Sequence, residues 1–177
     1  MGRLDSAFST VMSTLANPLI AAGVLVGMVV LGVAGLLAAR RWGWRPVPSV
    51  LAGISLGVVV GVTLSRTPPD WMRVYAVDGP FCHLSGFSLN GSNELLNVLL
   101  FMPLAFFAVL ATRRALPVAV LAVGLSVLIE LVQSLTNRGV CETQDLLNNT
   151  VGVVVAAGAA ALLVPLTSDR VSPGRRP

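Results

Sequence analysis

Five apolar runs, each about as long as a bilayer is thick, leave this chain few architectures to choose from. They cover roughly 17–39, 47–65, 94–112, 115–136 and 146–166. A hydrocarbon core about 30 Å thick takes roughly 20 apolar residues per helical crossing. Strands do not fit, because barrel segments alternate apolar with polar residues over about ten positions and these runs do not alternate. Backbone groups left unpaired in lipid are too costly, so helices remain. Composition agrees: 11% of the residues are charged, against about 25% in a soluble domain. The fold expected is an all-α membrane protein, one bundle of about five transmembrane helices over 17–166.

Direction follows from the basic residues. All twelve are Arg. The absence of Lys reads as the habit of a high-GC bacterial genome, which points to a multi-pass protein of the bacterial cytoplasmic membrane. Arg40, Arg41 and Arg45 follow the first run, Arg113 and Arg114 the third, and Arg170, Arg175 and Arg176 the fifth. Arg3, Arg66, Arg73 and Arg138 fall on the alternate side, giving eight against four. The positive-inside rule then places the N-terminus outside and the C-terminus inside. A sequence pI near 10.5 invites a nucleic-acid partner, but small Arg groups beside apolar runs are a topology signal, so no nucleic acid is expected. The first run lacks a strongly basic leader and an A-x-A-like end, so it reads as a retained helix. Residues 1–16 carry Leu4, Phe8, Val11, Met12 and Leu15 at helical spacing with Asp5, Ser6, Ser9 and Ser13 between them. That is the pattern of an interfacial helix or of an extension of the first crossing. The polar segment 167–177 reads as a disordered cytoplasmic tail.

Small residues recur four apart: Gly53, Gly57 and Gly61 on the second run, Gly23 and Gly27 on the first, Gly152, Ala156 and Ala160 on the fifth. Such stripes let helices approach closely in lipid, within the chain or against a partner. Pro103 removes a backbone donor inside the third run and is expected to kink it. Cys82 and Cys141 both fall in outside loops, where an even count favours a disulfide; the alternative is two unpaired thiols. Cys82 and His83 are too sparse a set for zinc. No metal and no cofactor are expected.

Charges inside a membrane are expensive and each is a functional hypothesis. Here they gather at one level. Asn93, Glu94 and Asn97 open the third run, Glu130 and Gln133 close the fourth, Arg138 follows in the turn, and Asp145, Asn148 and Asn149 open the fifth. Glu130 lies about 10 Å below the end of its helix at 1.5 Å per residue, so it needs a partner or a wet cavity, and Arg138 is the nearest candidate. Two compatible readings stand. Asn93, Asn97, Glu130, Gln133, Arg138, Asp145 and Asn149 form either a hydrogen-bonded network that fixes the bundle or the lining of an outward-facing polar pocket. Asp145 also suits a helix cap. As catalytic groups, Glu130 and Asp145 are the candidates for an acid–base pair. No nucleophile motif, metal-ligand set or phosphate loop accompanies them.

At these residues the chain resembles the VanZ-like family of bacterial membrane proteins. The resemblance rests on Asn97-Val-Leu-Leu-Phe101-Met-Pro103-Leu104, Glu130-Leu-Val-Gln133, Arg138, and Asp145-Leu-Leu-Asn-Asn149-Thr-Val-Gly152. It covers a core of about 60–166. Ala105 stands where the family often has Gly, and 139–144 holds Glu142 as its one acid where many relatives are more acidic. The family's namesake gives low-level resistance to teicoplanin, a lipoglycopeptide acting outside the membrane. What the resemblance implies is a cell-envelope protein in contact with membrane lipids. Its ligand would be a lipid-linked cell-wall precursor or a lipophilic glycopeptide. The rival readings are an intramembrane enzyme acting through Glu130 and Asp145, and a structural subunit that meets its complex through the Gly53–Gly57–Gly61 face.

Overall fold

The computed structural model describes residues 3–65, 82–136, 138–139 and 141–168. Arg66, Arg73 and the tail from 169, which holds Arg170, Arg175 and Arg176, lie outside the described residues. Six helices appear among those described: α1 (Arg3–Leu15), α2 (Pro18–Trp42), α3 (Pro46–Leu64), α4 (Ser92–Thr112), α5 (Ala115–Leu135) and α6 (Thr143–Ser168). Five of them, α2 to α6, are long and apolar enough to cross a membrane. The chain is a multi-pass membrane protein.

Local chemistry sets the helix ends. Asn17 caps α2, its side chain accepting the Leu19 N–H at 3.0 Å, and Pro18 takes the first helical position, where a missing N–H costs nothing. Gly43 ends α2 in the left-handed conformation at φ 68°, returning its N–H to the Ala39 carbonyl. Pro46 then starts α3. The Arg45 N–H donates to the Ala111 carbonyl at 3.3 Å, tying this turn to the far end of α4. Arg40, Arg41, Arg45, Arg113 and Arg114 therefore share one end of the bundle. The other end carries α1 and a two-residue parallel pair, β1 (Cys82–His83) and β2 (Cys141–Glu142).

In the bundle α2 packs on α3, α3 on α4, α4 on α6 and α6 on α5, while α1 lies against α4 and α2. The α2–α3 contact is a glycine seam. A Cβ on Gly27 would stand 2.7 Å from the Gly57 carbonyl oxygen, and one on Gly61 would stand 2.5 Å from Val24 Cα. Gly53 meets the Leu31 carbonyl in the same way. The Gly53–Gly57–Gly61 stripe is thus filled by the chain's own α2, which corrects its reading as a face for a partner. Lipid tails are as apolar as the helices, so close backbone packing has to replace the hydrophobic effect here. On α6, Gly152 abuts the Val98 carbonyl of α4, with Ala156 and Ala160 buried below it. Phe101, Val59 and Val153 fill the centre of the core.

Candidate functional site at the disulfide end

Three helix ends, the starts of α4 and α6 and the finish of α5, meet beside the β1–β2 pair. Cys82 and Cys141 are joined in a disulfide, with their Cα atoms 4.6 Å apart. The Thr143 hydroxyl donates to the Ser85 carbonyl at 2.8 Å and accepts the Ser85 N–H at 2.8 Å. The segment after β1 is therefore fastened to the first turn of α6, and Asp145, two residues on, is held in place. Exposed His83 faces Glu142 in the pair, and no group of His, Cys, Asp and Glu among the described residues could hold a metal.

The polar residues form two groups rather than one. Glu130, Gln133, Arg138 and Asn149 act within the bundle. A helix leaves its last carbonyls without donors, and two of those of α3 find side-chain donors here. Gln133 Nε2 donates to the Thr63 carbonyl at 2.9 Å, and Arg138 Nη1 donates to the Leu64 carbonyl. Arg138, expected beside Glu130, thus also reaches the end of α3. The buried Glu130 carboxylate accepts the Glu142 N–H at 3.3 Å, holding β2 down on α5. Asn149 Nδ2 donates to the buried Ser126 hydroxyl at 2.8 Å, linking α6 to α5.

Asn93, Asn97 and Asp145 instead line a cavity of about 430 Å³. Its roof is α1, through Thr10, Val11, Thr14 and Leu15. Val24 of α2, Val58 and Val62 of α3, and the α4 face from Asn93 to Pro103 complete the walls. That stretch of α4 is about 15 Å long at 1.5 Å rise per residue. Polar groups sit toward the disulfide end and aliphatic ones toward the middle of the bundle. Gln144 Nε2 donates to Glu94 Oε1 at 3.3 Å, keeping the starts of α4 and α6 together at the mouth. The Ser6 and Ser92 hydroxyls lie 2.6 Å apart and pin α1 to the start of α4. On the other side of α1, Phe8 and Met12 are 67% and 54% exposed, so its largest apolar side chains point away from the bundle. Of the two carboxylates offered as an acid–base pair, Asp145 lines the cavity and Glu130 does not.

A match to the family model VanZ/LLP1 covers residues 62–164, more than half of the 177. The chain belongs to the VanZ/LLP1 family. The matched region holds both cysteines, both polar groups and the α4 wall of the cavity. Thr10, Val24 and Val58 lie before it, so the cavity is closed by helices outside the family region. No curated protein and no solved structure matches the chain.

Some residues that matter here carried little signal. Thr10 and Thr14 bond back to the Ser6 and Thr10 carbonyls at 2.9 and 2.7 Å, which lets small polar side chains sit under a roof helix. Asn148 is fully buried, and neither of its amide atoms has a partner among the described residues. It lies between Gln144 and Gly152, both of which touch α4, on an i, i+4, i+8 stripe that the sequence does display.

Proposed function

We propose that this VanZ/LLP1 protein holds an amphiphile, a lipid or lipid-tailed molecule, in the cavity under α1. The chain of the amphiphile lies among the valines and leucines, and its polar group meets Asn93, Asn97 and Asp145. The observation that carries this is the cavity's grading from polar mouth to aliphatic depth, within the roughly 300–1,000 Å³ range of ligand pockets. The mouth is at the outer leaflet of a bacterial cytoplasmic membrane, with the N-terminus outside. Two features support that orientation: the excess of Arg at the opposite end and a disulfide, which persists on an oxidising side. There α1 serves as an interfacial helix, with Phe8 and Met12 in the lipid.

Sequestering or excluding a lipid-tailed antibiotic at that leaflet would give low-level lipoglycopeptide resistance. The test is susceptibility of a sensitive bacterial host to teicoplanin and to a glycopeptide without the lipid tail. Wild type is compared with Asp145→Ala and Asn97→Ala at equal membrane expression. Protection confined to the lipidated drug and lost in both variants is the expected outcome. Protection that survives both variants rules out the cavity as its source. The role of Glu130 and Gln133 in holding β2 and α3 favours the amphiphile reading over an acid–base enzyme, because the interactions of these side chains tie the bundle together.

A further inference from the structure

Resting on the amphiphile reading, the geometry points to the class of ligand: a fatty-acyl chain of one leaflet's length on a neutral polar head, not a polyprenyl phosphate. Length decides first. From Asn93 to Pro103 the α4 wall runs about 15 Å, half of a hydrocarbon core about 30 Å thick. A chain seated with its head at Asn93 therefore ends near the bilayer midplane, where an acyl tail ends. Volume agrees, since about 430 Å³ is at the small end of ligand pockets, far too little for a long, methyl-branched polyprenyl chain. Head chemistry points the same way. The described lining offers two carboxamides, two threonines and one carboxylate. Carboxamides suit hydroxyls, esters and amides.

Val58 lines the tail half of the cavity. α3 runs toward the disulfide end, so Val58 lies one helical turn deeper than Val62. It meets the ligand's tail and not its head. A chain moving from bilayer to cavity exchanges one apolar medium for another, so the hydrophobic effect gives no preference for longer chains. Chain-length selectivity then reports packing alone, with a void below the best length and overpacking above it.

The experiment uses the purified full chain in nanodiscs of neutral lipid. A fluorescent acyl probe is displaced by monoacylglycerols of graded chain length or by a polyprenyl phosphate. The expected result is an optimum near the dodecanoyl chain, the length that spans the wall from Asn93 to Pro103, and polyprenyl phosphate at least about tenfold weaker. Val58→Phe weakens the dodecanoyl chain about tenfold, as overfilling a packed site does, and leaves the octanoyl chain within about threefold. Resistance of Cys82 and Cys141 to thiol labelling confirms that the variant has folded. Asn97→Ala, which leaves the depth unchanged, weakens all lengths equally and keeps the ruler testable if Val58→Phe fails to fold. If polyprenyl phosphate displaces the probe as well as the best monoacylglycerol does, the assignment of chain and head is overturned while amphiphile binding stands. If no amphiphile displaces the probe saturably, both fall together.

Discussion

Replacing Cys82 and Cys141 together by Ser removes a cross-link whose effect can be worked from the chain it closes. The two cysteines are 59 residues apart. Treated as a free loop, that length corresponds to about 4 kcal/mol of restricted unfolded-state entropy. A membrane protein does not unfold to a free loop. Helices α4 and α5, of 21 residues each, stay inserted and hydrogen-bonded in lipid, because their backbones have no other partners there. Only the segments 83–91, 113–114 and 136–140 gain freedom, roughly 15 residues, for which the same relation gives about 3 kcal/mol. The double serine variant is thus expected to lose about 3 kcal/mol in reversible unfolding in mixed micelles. Reduced wild type should lose the same amount. A loss below about 1 kcal/mol, or a reductant that affects the variant as much as wild type, would refute the loop-closure reasoning.

Other perturbations separate packing from hydrogen bonding. Gly57→Ile drives a branched side chain into the Gly27 backbone, and should cost about 1–3 kcal/mol and loosen α2 from α3 in a cysteine cross-linking assay across that seam. Gln133→Leu leaves the Thr63 carbonyl without its side-chain donor; interhelical hydrogen bonds in membranes average about 0.6 kcal/mol, so a loss of about that size, up to roughly 1.7, is expected in the same unfolding assay. Asn148→Leu replaces a buried amide that has no partner among the described residues with an apolar group of similar size. It should be neutral or stabilising, and a loss above about 1 kcal/mol would mean that the amide binds water or ligand.

The five crossings were legible because their signal is summed over some twenty residues and opposes nothing else in the chain. The small-residue stripes were legible too, but not their pairing. Spacing shows that Gly53, Gly57 and Gly61 share a face, and only the fold shows that the α2 backbone from Gly23 to Gly32 fills it. Asn93, Asn97, Glu130, Gln133, Asp145 and Asn149 were placed at one level by counting residues along their helices. Counting gives depth and not azimuth, so the division into bundle-fixing side chains and cavity lining stayed hidden. The hydrogen bond from Arg138 to the Leu64 carbonyl stayed hidden for the same reason. The loose carbonyls at the end of α3 compete for its guanidinium, and a sequence does not display an acceptor of that kind. The roof helix α1 carried an amphipathic pattern whose apolar side chains drew attention. The face turned to the bundle takes only Val11 and Leu15 from that pattern and adds the inconspicuous Ala7, Thr10 and Thr14.

Amphiphile binding under α1 is tested most directly by photo-crosslinking of the purified protein in nanodiscs. The probe is a monoacylglycerol bearing a diazirine in its acyl chain, and adducts are mapped by peptide mass spectrometry. Adducts are expected on the cavity wall, at Val58, Leu96 and Leu100, and fade when unlabelled monoacylglycerol is added. Adducts confined to outward-facing side chains such as Leu121 and Leu162, 73% and 77% exposed, and indifferent to competitor, would contradict binding under α1.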